Sequence, residues 1–408
     1  MRSRLLAGVA VALAVSLTAC ERADERSGDT GATTLTVYAS LPFQGPSGPD
    51  SEQAANGARL ALREAGGKAG ELVIKLVVLD SSTTRSERWD PAQTADNARV
   101  AVRDRTAIAY LGDGPSGATA ISLPILNAAG IVQVSPTSSY QGLTGSRDAG
   151  KGEPERFYPS GRRSFARPIP GDDVQGRAMT DLMLDQGCRR VQLLADRDVG
   201  GQGLAAATTR SATAAGMEIA AREDLRADVD VQKLARSVAS NGVDCALFAG
   251  ALAEWVPGLF DALQAADPRL QLFGGGDGLA SDAFAAAMAP ATQAQVHLTA
   301  PAGVSEPLPG VRAFVRRYER AFDGPARNAA LHGYDAMRLV LAAVERAGAQ
   351  GGDRTAVTEA LFALGERRSP LGPYAIGRDG ASTRTEYAQL AVRDGRVVRR
   401  RTASFGPG

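Results

Sequence analysis

Two consecutive units decide the fold of this chain: Ile108-Ala109-Tyr110-Leu111-Gly112-Asp113-Gly114-Pro115-Ser116, and then Ile131-Val132-Gln133-Val134-Ser135-Pro136-Thr137-Ser138-Ser139. Each begins with a short apolar run that predicts a strand, and each run stops at residues typical of a turn or loop. The small residues and helix formers that follow Ser116 predict a helix between the two strands. Strand, turn and helix in this order indicate an open parallel sheet, in which ligands bind at the carboxyl ends of the strands.

Ser116 has two interpretations. As the N-cap of the predicted helix, it would leave backbone N–H groups and the positive end of the helix dipole available to a carboxylate. Alternatively it would only cap the helix, and the hydroxyl residues of the second unit would form a solvated loop. This stretch by itself leaves both interpretations open.

The first twenty residues are typical of an export signal. Arg2 and Arg4 precede an apolar run over 5–15, which is too short to span a bilayer comfortably. The segment ends in Leu17-Thr18-Ala19-Cys20, which resembles a bacterial lipobox, whose cysteine is lipidated and becomes the new N-terminus. We predict a signal peptide over 1–19, a lipid anchor at Cys20 and a flexible tether over 20–33. The alternative is an ordinary cleavage site beside an unpaired cysteine.

Composition and missing motifs exclude several classes of protein. Without Arg2 and Arg4 the chain has 44 basic and 45 acidic residues, a net charge of about −1 that provides no attraction for nucleic acid. The two histidines, His297 and His332, stand in no metal-ligand spacing, so we expect no metal. The glycine clusters complete neither a hydrolase elbow nor a dinucleotide or phosphate loop, so we expect no cofactor.

Strand and helix patterns alternate along the rest of the chain and predict two successive doubly wound α/β domains. In the first domain, Asp50 with Gln53 is placed like a capping box at the start of a helix. The second domain restarts with a helix over 172–186. Its predicted strands are 191–195, 245–249 and 270–273, and the loop after the first of them is expected to continue to a helix that begins at Leu204. The polar segment 145–163 predicts an exposed insertion, and the basic end from Arg399 predicts disorder.

Several pieces of the sequence, taken in order, resemble the type I periplasmic substrate-binding proteins of ABC transporters, in particular the branched-chain amino acid (Leu/Ile/Val) branch. The pieces are 41–45 with 56–61, 112–119, 135–144, 165–176 and 332–336. The resemblance implies the α/β fold of periplasmic binding proteins of type I, with two doubly wound parallel-sheet lobes joined by three crossovers. Lobe one would comprise 34–167 with 304–369, lobe two 168–303 with 370–401, and 402–408 would be a disordered tail.

The resemblance also implies a ligand site between the lobes. Serines and their neighbours on lobe one would hold the ligand's carboxylate, and an acid on lobe two would hold its amino group. The expected site residues are Ser116, Gly117, Thr137, Ser138 and Ser139 on lobe one, and Asp198, Gly200, Ala251 and Asp277 on lobe two. Many relatives carry aromatic residues near Gly200 and Ala251, so a larger or differently shaped ligand stays open. Asp277 follows the strand 270–273 between glycines, and its alternative role is to cap the next helix.

The implied function is that of a lipid-anchored receptor, and no catalysed reaction. It would close its lobes over a small polar ligand, an amino acid or analogue, and present it to an ABC permease at the outer face of the membrane. Two other classes remain: a ligandless envelope adaptor of the same fold, and an exported enzyme.

Two cysteines remain once Cys20 is set aside. Cys188 and Cys245 form an even pair, which in an exported protein favours a disulfide. In the family's sheet order the strands that follow them are neighbours, which would bring the two cysteines within reach of a bridge. Two buried free thiols are the alternative.

Overall fold

The computed structural model describes residues 34–276 and 278–406, apart from the side chain of Glu87. The strands are β1 (Thr34–Leu41), β2 (Lys68–Ala69), β3 (Leu72–Asp80), β4 (Ser82–Thr83), β5 (Ser86–Trp89), β6 (Ala107–Gly112), β7 (Val132–Val134), β8 (Phe165–Ala166), β9 (Arg190–Asp196), β10 (Glu218–Leu225), β11 (Cys245–Ala249), β12 (Gln271–Gly275), β13 (Val296–Pro301), β14 (Arg367–Ser369), β15 (Gly372–Tyr374), β16 (Glu386–Arg393) and β17 (Arg396–Ser404).

The helices are α1 (Gly48–Glu64), α2 (Pro91–Arg103), α3 (Ser116–Ala128), α4 (Asp172–Asp185), α5 (Val199–Ala214), α6 (Val231–Ser240), α7 (Val256–Ala266), α8 (Asp282–Ala287), α9 (Pro290–Gln293), α10 (Pro309–Ala321), α11 (Asn328–Ala347) and α12 (Arg354–Phe362). None of those within the described ranges is long and apolar enough to cross a membrane.

Two large sheets divide most of the strands between two lobes. The sheet of lobe one has the order β2-β3-β1-β6-β7-β8, with antiparallel β2 at the edge of parallel strands. The sheet of lobe two has the order β10-β9-β11-β12-β13-β16-β17, parallel from β10 to β13 and antiparallel beyond. The chain passes between the lobes at 167–171, 302–308 and 375–385. The predicted α/β class, with doubly wound lobes and three crossovers, is confirmed.

Lobe one is completed by helices from late in the chain. α10, α11 and α12 cover one face of its sheet together with α1, while α2 and α3 cover the other. α1 and α11 approach so closely that a Cβ on Gly57 would overlap the Ala330 carbonyl, and one on Gly333 would overlap that of Ala54. Each large apolar side chain fully buried here, such as Leu339, stabilises the lobe by about 1.5–3 kcal/mol.

Lobe two contains a disulfide between Cys188 and Cys245. The two Cα atoms lie 5.8 Å apart, because β9 and β11 are neighbouring strands and Val191 of β9 pairs with Cys245 of β11. Cys188 and Cys245 are both buried in the core that α4 forms against the sheet. The bridge therefore lies inside the lobe, far along the sheet from the loops at the carboxyl ends of its strands.

Several local predictions were wrong. The capping box of Asp50 with Gln53 does not form, because α1 already begins at Gly48 and the Gln53 amide donates to the Pro325 carbonyl at 3.1 Å. α5 begins at Val199 rather than at Leu204, because the Asp198 side chain caps it by accepting from the Gly200 N–H at 3.0 Å.

The segment 145–163 is not simply an exposed insertion. Phe157 and Tyr158 are buried in a cluster with Leu143 and Leu123, and the Tyr158 hydroxyl donates to the Leu143 carbonyl at 2.6 Å. The segment is therefore anchored to lobe one through its aromatic residues.

The basic end of the chain is a strand and not a disordered tail. Residues 396–404 form β17, which pairs antiparallel with β16. The Arg401 guanidinium contacts Asp181 and lies 2.7 Å from Asp185, so the basic side chain is compensated by acids of α4. The boundary predicted at 369 also shifts, because β15 pairs with β14 and Ile376 packs on the core of lobe one.

Candidate ligand-binding site

The cleft between the lobes contains two adjoining chambers. We call the smaller one, of about 30 Å³, the polar chamber, and the larger one, of about 150 Å³, the wide chamber. Ser139 of lobe one and Gln175 and Gly276 of lobe two line both of them. A single ligand can therefore occupy the two chambers at once.

Lobe one provides hydroxyl groups and a helix N-terminus. Ser116 is the first residue of α3, with Pro115 at the N-cap, and its Oγ accepts from the Tyr140 N–H at 3.3 Å. The two loops of this wall are tied together, since the Ser135 hydroxyl donates to the Asp113 carbonyl at 2.6 Å. Ser116 and Ser139 thus stand on a fixed frame beside the positive end of α3, where a carboxylate is stabilised.

Lobe two provides carboxylates. Asp196 ends β9, and its carboxylate accepts from the N–H groups of Asp198 and Ala251 at 3.1 and 3.0 Å. A Cβ on Gly201 would overlap the Asp196 carboxylate and one on Gly250 would crowd it, so glycines are required around this group. Burial raises the pKa of Asp196 to about 6, although these N–H groups and Arg88 oppose the increase.

Ion pairs cross the cleft at two places. Arg88, in the hairpin of β4 and β5 on lobe one, lies 3.7 Å from the Asp196 carboxylate and 3.6 Å from that of Asp198. Farther out, Arg210 of α5 donates from Nε to both carboxylate oxygens of Asp148, at 3.0 and 3.1 Å. Both contacts join side chains of opposite lobes, so opening the cleft must separate them.

A third carboxyl, Asp172, lines the polar chamber from the first residue of α4. It is fully buried, and burial raises its pKa to about 7. Its backbone N–H donates to the Ser139 carbonyl at 2.9 Å, which joins the two lobes at the floor of the cleft.

The wide chamber has mostly apolar walls with a few polar groups. Leu41 and Ala54 from lobe one and Ile169 from the first crossover contribute apolar surface. The Gln175 amide donates to the Thr299 hydroxyl at 3.0 Å. His332 also lines this chamber; its Nε2 lies 3.1 Å from the Ala302 carbonyl, and burial lowers its pKa to about 4, so the ring is neutral at pH 7.

The expected site residues have four different outcomes. Lining the polar chamber are Ser116, Ser139, Asp198, Gly200 and Ala251; Thr137 lines the wide chamber together with Ser139. Asp277 and Cys20 lie outside the described residues.

Two expected ligand residues do not line either chamber. The Ser138 hydroxyl is fully buried and donates to the Gly114 carbonyl at 3.0 Å, so it holds the loops together. Gly117 lies behind the chamber wall, where a Cβ would overlap Asp198 and Trp89; it makes room for both.

Sequence reasoning missed Arg88, Asp172 and Asp196 as site residues. Asp196 ends a predicted strand, and that position was the available signal. Asp172 lay at the start of a predicted helix, where an acid is ordinary. Arg88 lies in a short hairpin, and no hydrophobic periodicity in the sequence predicted that hairpin.

One group of possible metal ligands occurs among the described residues, formed by Cys188, Asp244 and Cys245. Two of its three members are joined as a disulfide, and a disulfide offers no thiolate to a metal ion. The cluster therefore does not provide a metal site.

Comparison with known proteins gives consistent matches over nearly the whole described chain. A family model described as periplasmic binding protein matches residues 34–396. The Leu/Ile/Val-binding protein BraC3 of Rhizobium johnstonii is 26% identical over 367 residues, which cover 89% of this chain and 93% of that protein.

Solved structures also share the fold. The leucine-binding protein LivK of Thermotoga maritima superposes with a TM-score of 0.77 at 20% identity, covering 91% of this chain and 99% of that one. A solute-binding protein of an ABC transporter from R. palustris, solved with benzoate, gives a TM-score of 0.76 at 21% identity, covering 92% and 98%.

Proposed function

The chain belongs to the periplasmic binding protein family, and from that premise we propose that it receives an α-amino acid in its cleft and delivers it to an ABC permease. The observation that carries the proposal is the polar chamber itself. One of its walls has Ser116, Ser139 and the N-terminus of α3, which suit a carboxylate. The opposite wall has Asp196 and Asp198, which suit an ammonium group through charge-assisted hydrogen bonds.

The wide chamber suits an apolar side chain of moderate size. Its volume of about 150 Å³ equals that of an engineered protein cavity that binds benzene. A leucine, isoleucine, valine, methionine or phenylalanine side chain fits such a space, and Leu41, Ala54 and Ile169 would contact it. Burying such a side chain contributes about 1.5–3 kcal/mol to binding.

Lobe closure follows from the position of the ligand-facing groups. Ser116 and Ser139 belong to one lobe and Asp196 and Asp198 to the other, so a ligand that contacts both sets stabilises the closed arrangement. Small-angle scattering with and without ligand measures the change; an unchanged radius of gyration at saturation would contradict closure.

A second candidate ligand is an aromatic carboxylate. The R. palustris neighbour was solved with benzoate, and Arg88 in the polar chamber of this chain offers a guanidinium that can pair with a carboxylate. The nearby carboxylates oppose that choice, because Asp196 and Asp198 already pair with Arg88. The amino acid therefore remains the preferred ligand.

A matched pair of compounds separates the two candidates. The full-length protein, purified in mild detergent, is titrated with L-phenylalanine and with 3-phenylpropanoate, which has the same ring and carboxylate but no ammonium group. Benzoate, L-leucine and other amino acids complete the set. We expect the amino acids to bind at least tenfold more tightly and to raise the melting temperature. Preference for the carboxylates would favour the second candidate, and stabilisation by none would favour a ligandless adaptor.

Two further parts of the proposal concern residues outside the described ranges. We propose lipid modification at Cys20 as the membrane anchor; Cys20→Ser should then move the protein into the soluble fraction. Asp277 is proposed as a further acid on the ammonium group. Asp277→Asn should weaken an amino acid by about 2 kcal/mol, or thirtyfold, in calorimetry. An unchanged affinity would remove Asp277 from the site.

A further inference from the structure

We propose that Asp172 is a ligand-binding residue that accepts the ligand's ammonium group and releases a proton to solvent as it does so. The inference rests on the proposed function, since it assigns a role within the same cleft. The proton comes from the carboxyl of Asp172, which changes from neutral to ionised while the ammonium group keeps its charge.

The first support is an unpartnered oxygen. Asp172 is 1% exposed, and its Oδ2 has no hydrogen-bond partner within the described part of the chain. A buried acceptor left without a partner costs about 1–3 kcal/mol, which a donor supplied by a ligand would recover. Gly203 packs closely on this oxygen, because a Cβ there would lie 3.0 Å from it. Asp172 lines the polar chamber, so the ligand is in a position to supply that donor.

The second support is that the nearest buried cation is committed elsewhere. The Arg167 guanidinium donates to the Tyr140 carbonyl at 2.8 Å, and to the side chains of Thr144 at 2.9 Å and Gln141 at 3.2 Å. No hydrogen bond joins Arg167 to Asp172 among these contacts. Among the described side chains, Asp172 therefore has no ion-pair partner, and Arg167 acts on it through its charge.

Burial, more than the surrounding charges, favours the neutral form of Asp172. Burial raises its pKa to about 7, the Ser139 hydroxyl and the charge of Arg167 oppose the increase, and Asp173 and Asp148 add to it. Asp196, Asp198 and Arg88 face it from the other walls of the chamber. A cation placed beside the carboxyl reverses this balance, because an opposite charge within about 4–6 Å favours ionisation.

The neighbouring Asp173 provides a matched control. It occupies the same first turn of α4, pairs with Arg177 at 3.4 Å and does not line either chamber. Both acids meet the same helix dipole, so Asp173→Asn reproduces any effect of Asp172→Asn that arises from the helix terminus alone.

The experiment is calorimetric titration of the full-length parent, Asp172→Asn and Asp173→Asn with L-leucine and L-phenylalanine. Each titration is performed at pH 7 in phosphate and in Tris, two buffers with different ionisation enthalpies. The parent should show different binding enthalpies in the two buffers, because a fraction of a proton is released. Asp172→Asn should weaken binding about thirtyfold and remove the buffer difference. Asp173→Asn should keep the parent's affinity within about twofold and should still show a buffer difference, reduced because Asp173 adds to the raised pKa of Asp172.

Any other result of these titrations contradicts either the role of Asp172 or the proposed function. Parent-like affinity in Asp172→Asn, or equal enthalpies of the parent in both buffers, would overturn the role of Asp172 while leaving the amino acid proposal intact. If Asp172→Asn does not fold, the parent's own buffer difference and its affinity between pH 6 and 8 decide, since affinity should rise with pH. If the parent binds no amino acid, the proposed function is overturned, and the role of Asp172 with it.

Discussion

The ion pair between Asp148 and Arg210 should control how tightly the protein holds its ligand without contacting it. Asp148 lies in the segment 145–163 of lobe one, and Arg210 lies in α5 of lobe two. Neither residue lines either chamber. Arg210→Gln and Asp148→Asn therefore change the closed arrangement and leave the ligand's own contacts unchanged. Asparagine also tolerates the left-handed backbone of Asp148, whose φ is 58°.

The expected magnitude follows from geometry and burial. Exposed ion pairs contribute about 0.2–1 kcal/mol, and loss of one partner from a buried pair costs about 3–5 kcal/mol. Here the Asp148 side chain is 10% exposed and that of Arg210 is 37% exposed, with a bidentate geometry. We expect that losing the ion pair destabilises the closed arrangement by about 1 kcal/mol, near the upper end for exposed pairs. If the open form predominates without ligand, the same free energy weakens apparent affinity about fivefold.

The assay is a double-mutant cycle on ligand affinity and dissociation rate. Each single variant should weaken L-leucine or L-phenylalanine about fivefold, mainly through faster dissociation, and the double variant should be no weaker than either single one. Arg269→Gln is the control, because it removes an exposed pair with Asp267 inside lobe two. Additive losses in the double variant, or unchanged dissociation, would refute closure through this pair.

Three further predictions concern stability. Replacing Cys188 and Cys245 together by serine should lower the free energy of unfolding by about 4 kcal/mol in urea titrations, because the bridge spans 57 residues; reductant should then have no effect on the variant. Arg384→Gln should cost about 3 kcal/mol in the same assay, since it leaves Asp335 buried without the guanidinium that lies 3.1 Å away; no change would mean that Asp335 is neutral without it. Between pH 6.5 and 8 the parent should lose stability relative to Asp172→Asn as pH rises, because the folded-state pKa of Asp172 is about 7 and the unfolded one about 4; melting profiles of both proteins measure this difference.

The histidines oppose this change in the same pH window. Burial lowers the pKa of His297 and of His332 to about 4, below the unfolded value near 6.5. Their contribution to stability is present above pH 6.5 and is lost as pH falls towards 4. Asp172→Asn keeps both histidines, so their contribution cancels in the difference between parent and variant, and that difference reports on the carboxyl.

The sequence predicted those features that depend on local patterns and on sheet geometry. Apolar runs and turn residues located the strands, and parallel strands bring the loops at their carboxyl ends to one edge. Ser116 and Asp198, which are 82 positions apart and belong to different lobes, were assigned to one cleft by the family resemblance, and both line one chamber.

What the sequence did not predict depends on contacts between distant segments. Ser138 and Ser139 have the same chemistry and adjacent positions, but the Gly114 carbonyl takes the hydroxyl of Ser138 and leaves Ser139 facing the cleft. Arg88 and Asp148 reach the cleft from a hairpin and an irregular segment, for which no periodicity fixes the direction of the side chain. Tertiary contacts alone decide these positions.

The close contact of α1 with α11 imposes an order on the folding of the molecule. Lobe one starts at the N-terminal end of the described chain, but its core lacks one wall until the chain has been made through α12, which ends at Phe362. Until then, α1 alone covers that face of strands β1, β3 and β6, and the part that α10, α11 and α12 cover stays exposed. A chain arrested before α11 should therefore keep its first lobe unfolded and sensitive to protease.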